Sequence, residues 1–106
     1  MAWLPKQYTM TASAAQLTTV LGLSSKRYIK QLNIKNQSGA ANKIYLGGSG
    51  VTNVPANAGA EISADTAWTL GPLLEALVTT DDIYLVGTVA GSNIAFIDIT
   101  YFQSGA

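Results

Sequence analysis

The stretch Asp81-Asp82-Ile83-Tyr84-Leu85-Val86-Gly87-Thr88-Val89, then Ala90-Gly91-Ser92-Asn93, then Ile94-Ala95-Phe96-Ile97-Asp98-Ile99-Thr100-Tyr101-Phe102, decides the fold class. Both arms are rich in β-branched and aromatic residues, and a Gly/Ser/Asn cluster separates them, which predicts a β-hairpin. Read at period two, the second arm places Ala95, Ile97, Ile99 and Tyr101 on one face. Ile94, Phe96, Asp98, Thr100 and Phe102 fall on the other. A strand that is largely apolar on both faces needs cover on both. The rest of the domain supplies one cover, and a second chain is the expected source of the other.

Upstream the same signals recur. Lys26 to Asn36 reads as a half-buried strand, with Leu32 and Ile34 sharing a face with Tyr28 and Lys30, and Gln31, Asn33 and Lys35 opposite. A polar turn over 37–42 leads to a second strand, Lys43-Ile44-Tyr45-Leu46, which Gly47-Gly48-Ser49-Gly50 breaks. Residues 51–59 read as loop, Ala60 to Leu70 as strand of open register ended by Gly71-Pro72, and Leu73-Leu74-Glu75-Ala76-Leu77 as an apolar connection. The one helix-like candidate, Ala14 to Leu21, is weakened by Thr18, Thr19 and Val20 and ends at Gly22. Short strands between glycine-rich turns predict an all-β chain: an antiparallel β-sandwich, jelly-roll-like, as a single domain over 13–106. An extended N-terminal arm over 1–12, weakly alternating enough to be an edge strand, precedes it.

Composition narrows the chemistry. Of 106 residues, 48% are hydrophobic and only 11% charged, less than half the usual quarter. An uncharged surface of this kind is expected where much of the outside is buried against partners. The chain contains no cysteine and no histidine, so disulfides, thiol nucleophiles and imidazole acid–base chemistry are unavailable to it. No apolar run approaches the roughly 18 residues of a membrane span, and Met1-Ala2-Trp3-Leu4-Pro5-Lys6 lacks a signal-peptide plan. Synthesis in a cytoplasm, with no membrane partner, is the expectation. All six bases lie within the first 43 residues and all six acids from 61 onward. Either early strands pack on late ones and mix the charges, or a basic side of one protomer meets an acidic side of the next. Balanced charge predicts no nucleic-acid partner.

Candidate catalytic signals are weak. Gly47-Gly48-Ser49-Gly50 lacks the helix-opening third glycine of a dinucleotide fingerprint, the lysine of a Walker loop, and the closing glycine and histidine partner of a nucleophile elbow. It reads as a tight turn. Asp81 and Asp82 would diverge on a strand and lack calcium-loop spacing, so a solvated loop or lysine pairing is expected. No catalytic residue, cofactor or metal is predicted, and the chain is read as a non-enzyme. Trp3, Trp68 and the five tyrosines leave a carbohydrate-binding surface as an alternative to core packing.

The run Ile34-Lys35-Asn36-Gln37-Ser38-Gly39-Ala40-Ala41-Asn42-Lys43-Ile44-Tyr45-Leu46-Gly47-Gly48-Ser49-Gly50-Val51-Thr52 resembles a stretch of small structural proteins of tailed bacteriophages. The later Ile83-Tyr84-Leu85-Val86-Gly87 and Ile94-Ala95-Phe96-Ile97 extend the likeness over residues 28–102. Asn57-Ala58-Gly59 departs from the turn those proteins carry before their middle strand. The resemblance implies a virion component of the capsid decoration (cement) type. Such a protein bridges neighbouring capsid subunits, and a homotrimer and the major capsid protein are its expected partners. A head–tail or tail structural protein, or a fibre-associated carbohydrate-binding module, is the alternative. The residues expected at interfaces are Trp3, Leu4 and Tyr8 of the arm, and Leu73, Leu74 and Leu77 of the apolar connection. Tyr84, Val86, Phe96 and Phe102 of the last hairpin complete the set, as a protomer–protomer seam.

Overall fold

A computed structural model describes residues 2–37, 42–52, 59–63, 65–88 and 94–102, without the side chains of residues 2–4. These residues form two four-stranded antiparallel sheets. The first holds β1 (Ala2–Thr9), β8 (Ile94–Tyr101), β3 (Ile29–Asn36) and β6 (Ala67–Leu70), in that order across the sheet. The second holds β2 (Ala15–Gln16), β7 (Tyr84–Gly87), β4 (Ile44–Gly47) and β5 (Ala60–Ile62). A single helical turn, α1 (Leu17–Val20), follows β2 and stops where Gly22 takes φ 72°. The pairings are nested: β1 with β8, β2 with β7, β3 with β6, β4 with β5.

The core follows from alternation. On β8, Ala95, Ile97 and Ile99 are buried while Phe96 and Asp98 face outward, as period two requires. Opposite them β3 buries Ile29, Leu32 and Ile34. Those side chains share one cluster with Ile44, Leu46, Ile62 and Leu85 from the second sheet and with Met10, Leu17 and Val20. The cluster joins both sheets, so each strand is stabilised through partners distant in sequence.

Three expectations are corrected. The last two arms are not a hairpin: β7 lies between β2 and β4, and β8 between β1 and β3, in different sheets. A Gly/Ser/Asn cluster in a sequence does not say which sheet receives the chain after it; residues 89–93 themselves lie outside those described. Ala60–Leu70 is two strands, also in different sheets, with Asp65 at φ 59° on the crossing. On β3 a register shift between Ile29 and Gln31 changes the phase, so Ile29 takes the buried place that alternation from Leu32 gives to Lys30. Within the stretch 1–12, residues 2–9 form the edge strand that the weak alternation allowed, paired with β8 from Ala2↔Tyr101 to Thr9↔Ile94. Pro5 on that strand is tolerated because an edge strand needs amide hydrogens on one side only.

Candidate interaction surface

One end of the first sheet collects features that the sequence scatters. Beyond the end of β6, the connection 71–80 runs beside the start of β3. Leu73 donates its N–H to the Lys30 carbonyl at 2.7 Å, Ile29 donates to Val78 at 2.8 Å, and Thr80 donates to Arg27 at 2.9 Å. On the other flank Phe102 donates its N–H to the Tyr28 carbonyl at 2.9 Å. Residues 26–30, 73–78 and 101–102 therefore lie side by side at one end of the sheet, with Ile29 turned into the core. Gly71 makes the approach possible: it has φ 95°, and a Cβ there would lie 2.7 Å from the Lys30 carbonyl oxygen.

This surface is both basic and apolar. Lys26 lies over the Tyr28 ring at 5.7 Å, Arg27 over Tyr101 at 5.7 Å, and Lys30 over Phe102 at 5.2 Å. Each ring face attracts the cation and holds it near the surface. Lys30 also donates from Nζ to the Leu73 carbonyl at 2.7 Å. Among the described residues none of the three cations is paired with a carboxylate. Beside them Leu74 is 91% and Leu77 75% exposed, with Glu75 between and a shallow recess of about 280 Å³ among Leu73, Leu74, Glu75, Leu77 and Val78. Two leucines left almost fully in water next to unpaired cations form the most conspicuous apolar feature of the described surface.

The other residues expected at interfaces separate. Val86 is buried by its own chain: with Tyr45 and Val51 it forms a small cluster, and Tyr84 packs alongside. Val51 is folded back by a tight turn in which it donates its N–H to the Gly48 carbonyl at 3.0 Å. Tyr8 packs partly against the main core. Phe96 is 40% exposed on the outer face of the first sheet, opposite Gln7 on β1 and Lys35 on β3. The side chains of Trp3 and Leu4 lie outside those described. The structure thus brings Leu73, Leu74, Leu77 and Phe102 to one end of the first sheet and leaves Tyr8, Tyr84, Val86 and Phe96 away from it.

The adjacent aspartates have structural partners. Asp82 accepts the Thr79 N–H at 2.8 Å and the Thr79 hydroxyl at 3.2 Å. Asp81 ends a directional chain: Arg27 N–H donates to Thr80 Oγ1 at 3.0 Å, Thr80 to Thr18 Oγ1 at 2.6 Å, and Thr18 to the Asp81 carboxylate. Thr18 and Thr80 are buried, so the chain satisfies hydroxyls that would otherwise be costly. Early and late charges do mix in one place, where Lys43 Nζ meets Glu61 Oε1 at 3.1 Å. The hydrogen bond to Glu61 and its negative charge raise the Lys43 pKa, although exposure of both partners keeps the stabilisation small. Trp68 is half-buried against the core and lines an open cleft of about 250 Å³ with Leu46, Gly47, Gly59, Ala60, Asp82 and Ile83.

Sequence reasoning missed the cations of this surface as interface residues, because nothing local ties residues 26–30 to 73–78. Comparison with protein-family models, with characterised proteins and with solved structures found no match to this chain.

Proposed function

We propose that the chain is a non-catalytic virion protein that decorates a bacteriophage capsid and stabilises it by bridging neighbouring capsid subunits. The observation that carries this reading is the strand order. Sheets ordered β1-β8-β3-β6 and β2-β7-β4-β5, with nested pairs and β4–β5 at the tip, support a jelly-roll reading of the two sheets. Eight-stranded jelly rolls are the architecture of many viral capsid and lectin domains. The resemblance over residues 28–102, the low charge and the exposed Leu74 and Leu77 agree with it.

The mechanism is mechanical. Each copy buries apolar surface on the shell at about 25 cal/mol per Å², less the cost of association, and many copies together oppose the pressure of packaged DNA. The protein works as a homo-oligomer, a trimer in this reading, seated where capsomers meet, and it joins the virion in the bacterial cytoplasm. The exposure of Phe96 on the outer face of the first sheet supports a seam between copies there.

The test is co-sedimentation of purified protein with capsids of the phage that encodes it, followed by heating the loaded and bare shells. Saturable binding with a raised disruption temperature supports the reading; failure to pellet with the shell refutes it. A second reading, a fibre-associated carbohydrate-binding module, draws on the cleft beside Trp68, whose aromatic wall and Asp82 carboxylate suit a sugar ring. Glycan-dependent quenching of tryptophan fluorescence, lost in Trp68→Ala, would favour it over decoration.

A further inference from the structure

We infer that the end of the first sheet carrying Lys26, Arg27, Lys30, Leu74, Leu77 and Phe102 is the face that docks on the capsid, and that its counterpart is an acidic protein surface presenting apolar side chains. The inference rests on the decoration reading and assigns it a surface and a partner chemistry.

Charge complementarity selects the partner. Three of the chain's six cations fall within residues 26–30, each over an aromatic ring and none paired with a carboxylate among the described residues. Asp81 and Asp82 keep their charges at the far end of the connection, where they accept from Thr18 and Thr79, and Glu75 is the carboxylate between the two leucines. Within residues 26–30, 73–78 and 101–102, three cations therefore stand against one acid, beside two leucines that no part of the described chain covers. Cations at the edge of such a contact steer and orient the encounter, while desolvated apolar side chains at its centre hold it. Lys30 is pre-positioned for this by its bond to the Leu73 carbonyl, which ties the basic and leucine parts into one unit.

Other occupants fit less well. Three cations are fewer than the clusters of four to eight that hold proteins to anionic membranes. They would also neutralise too few phosphates for strong nucleic-acid binding. Two leucines flanking a glutamate suit neither.

The test is quantitative co-sedimentation with capsids of the encoding phage, across a range of salt, for four proteins: wild type, Leu74→Ser/Leu77→Ser, Lys26→Glu/Lys30→Glu and Lys6→Glu/Lys43→Glu. The last pair changes net charge by the same amount away from the patch and from Phe96. Wild-type affinity should fall with salt. The leucine and Lys26/Lys30 variants should each weaken by about tenfold or more, and the Lys6/Lys43 variant by much less. Exposure of both leucines means the serine variant keeps its fold, so the test survives if Lys30→Glu disturbs its own strand.

Capsid binding by wild type that is equal in the two patch variants overturns the docking face and leaves the decoration reading standing. Equal losses in both charge variants overturn the acidic counterpart. No binding by wild type removes the decoration reading and this inference with it. Anionic vesicles (phosphatidylserine in phosphatidylcholine) and single-stranded DNA run in parallel. Binding there that depends on Lys26 and Lys30, with none to capsids, overturns the inference in favour of that partner.

Discussion

Asn36 is a buried polar residue whose side chain the structure makes costly to remove. It ends β3 with no exposed surface, and its amide nitrogen donates to the Asn42 carbonyl at 2.9 Å and the Ile62 carbonyl at 3.1 Å. Ile62 belongs to β5, so one side chain ties the first sheet to the second. Asn36→Ala removes both donors and leaves two carbonyl oxygens facing a small void. An unsatisfied buried acceptor costs about 1–3 kcal/mol, and partial relaxation or entry of water lowers the sum, so about 2–4 kcal/mol is expected. For a domain near this size each kcal/mol moves the midpoint by roughly 4–8 °C, giving a fall in Tm of about 8–32 °C. Asn33→Ala is the control: Asn33 lies on the same strand, but its Oδ1 accepts the Thr69 hydroxyl in an exposed bond, so its loss should stay within about 0.5 kcal/mol. Urea unfolding followed by tryptophan fluorescence measures both. Equal stability of the two variants would refute the account of Asn36 as a tie between sheets.

Three further substitutions test separate parts of the fold. Gly71→Ala places a Cβ 2.7 Å from the Lys30 carbonyl at φ 95°, and chemical denaturation should show a loss of about 1–3 kcal/mol. Thr80→Val keeps the shape but ends the hydroxyl chain and orphans the Arg27 N–H. A cost of about 1–3 kcal/mol is expected, with faster amide exchange at Arg27 as the local readout. Ile97→Ala, at the centre of the core cluster, should cost about 2–5 kcal/mol in urea, whereas Leu74→Ser/Leu77→Ser should leave the midpoint unchanged within about 0.5 kcal/mol. A destabilised leucine variant would mean that the connection packs at home.

Local periodicity was legible in the chain, and sheet membership was not. Ile97 and Ile99 against Phe96 and Asp98, and Leu32 and Ile34 against Asn33 and Lys35, follow from period two alone, and the strand at Ile44-Tyr45-Leu46 stops at its glycines as expected. The sequence after Gly87 reads as a hairpin because turn residues separate two strand patterns, whereas which sheet receives the chain depends on β1 and β3 pairing with β8. The shift at Ile29/Gln31 carries no sequence mark, since any residue can be the extra one in a bulge. Val86 looked available for a seam because the return of Val51 over it depends on a turn four residues beyond the strand's own partner. At the interaction surface the leucines stood out, having no strand pattern to explain their burial. Their cationic neighbours did not, because Lys30 meets Leu73 only through tertiary pairing.

The most direct test of the central claim is a cryo-electron microscopy difference map between particles assembled with and without this protein. The account predicts added density on the outer shell, shaped as two packed sheets, with Lys30, Leu74 and Leu77 facing the capsid subunits. Identical shells, with the protein absent from the head or confined to the tail, would contradict it.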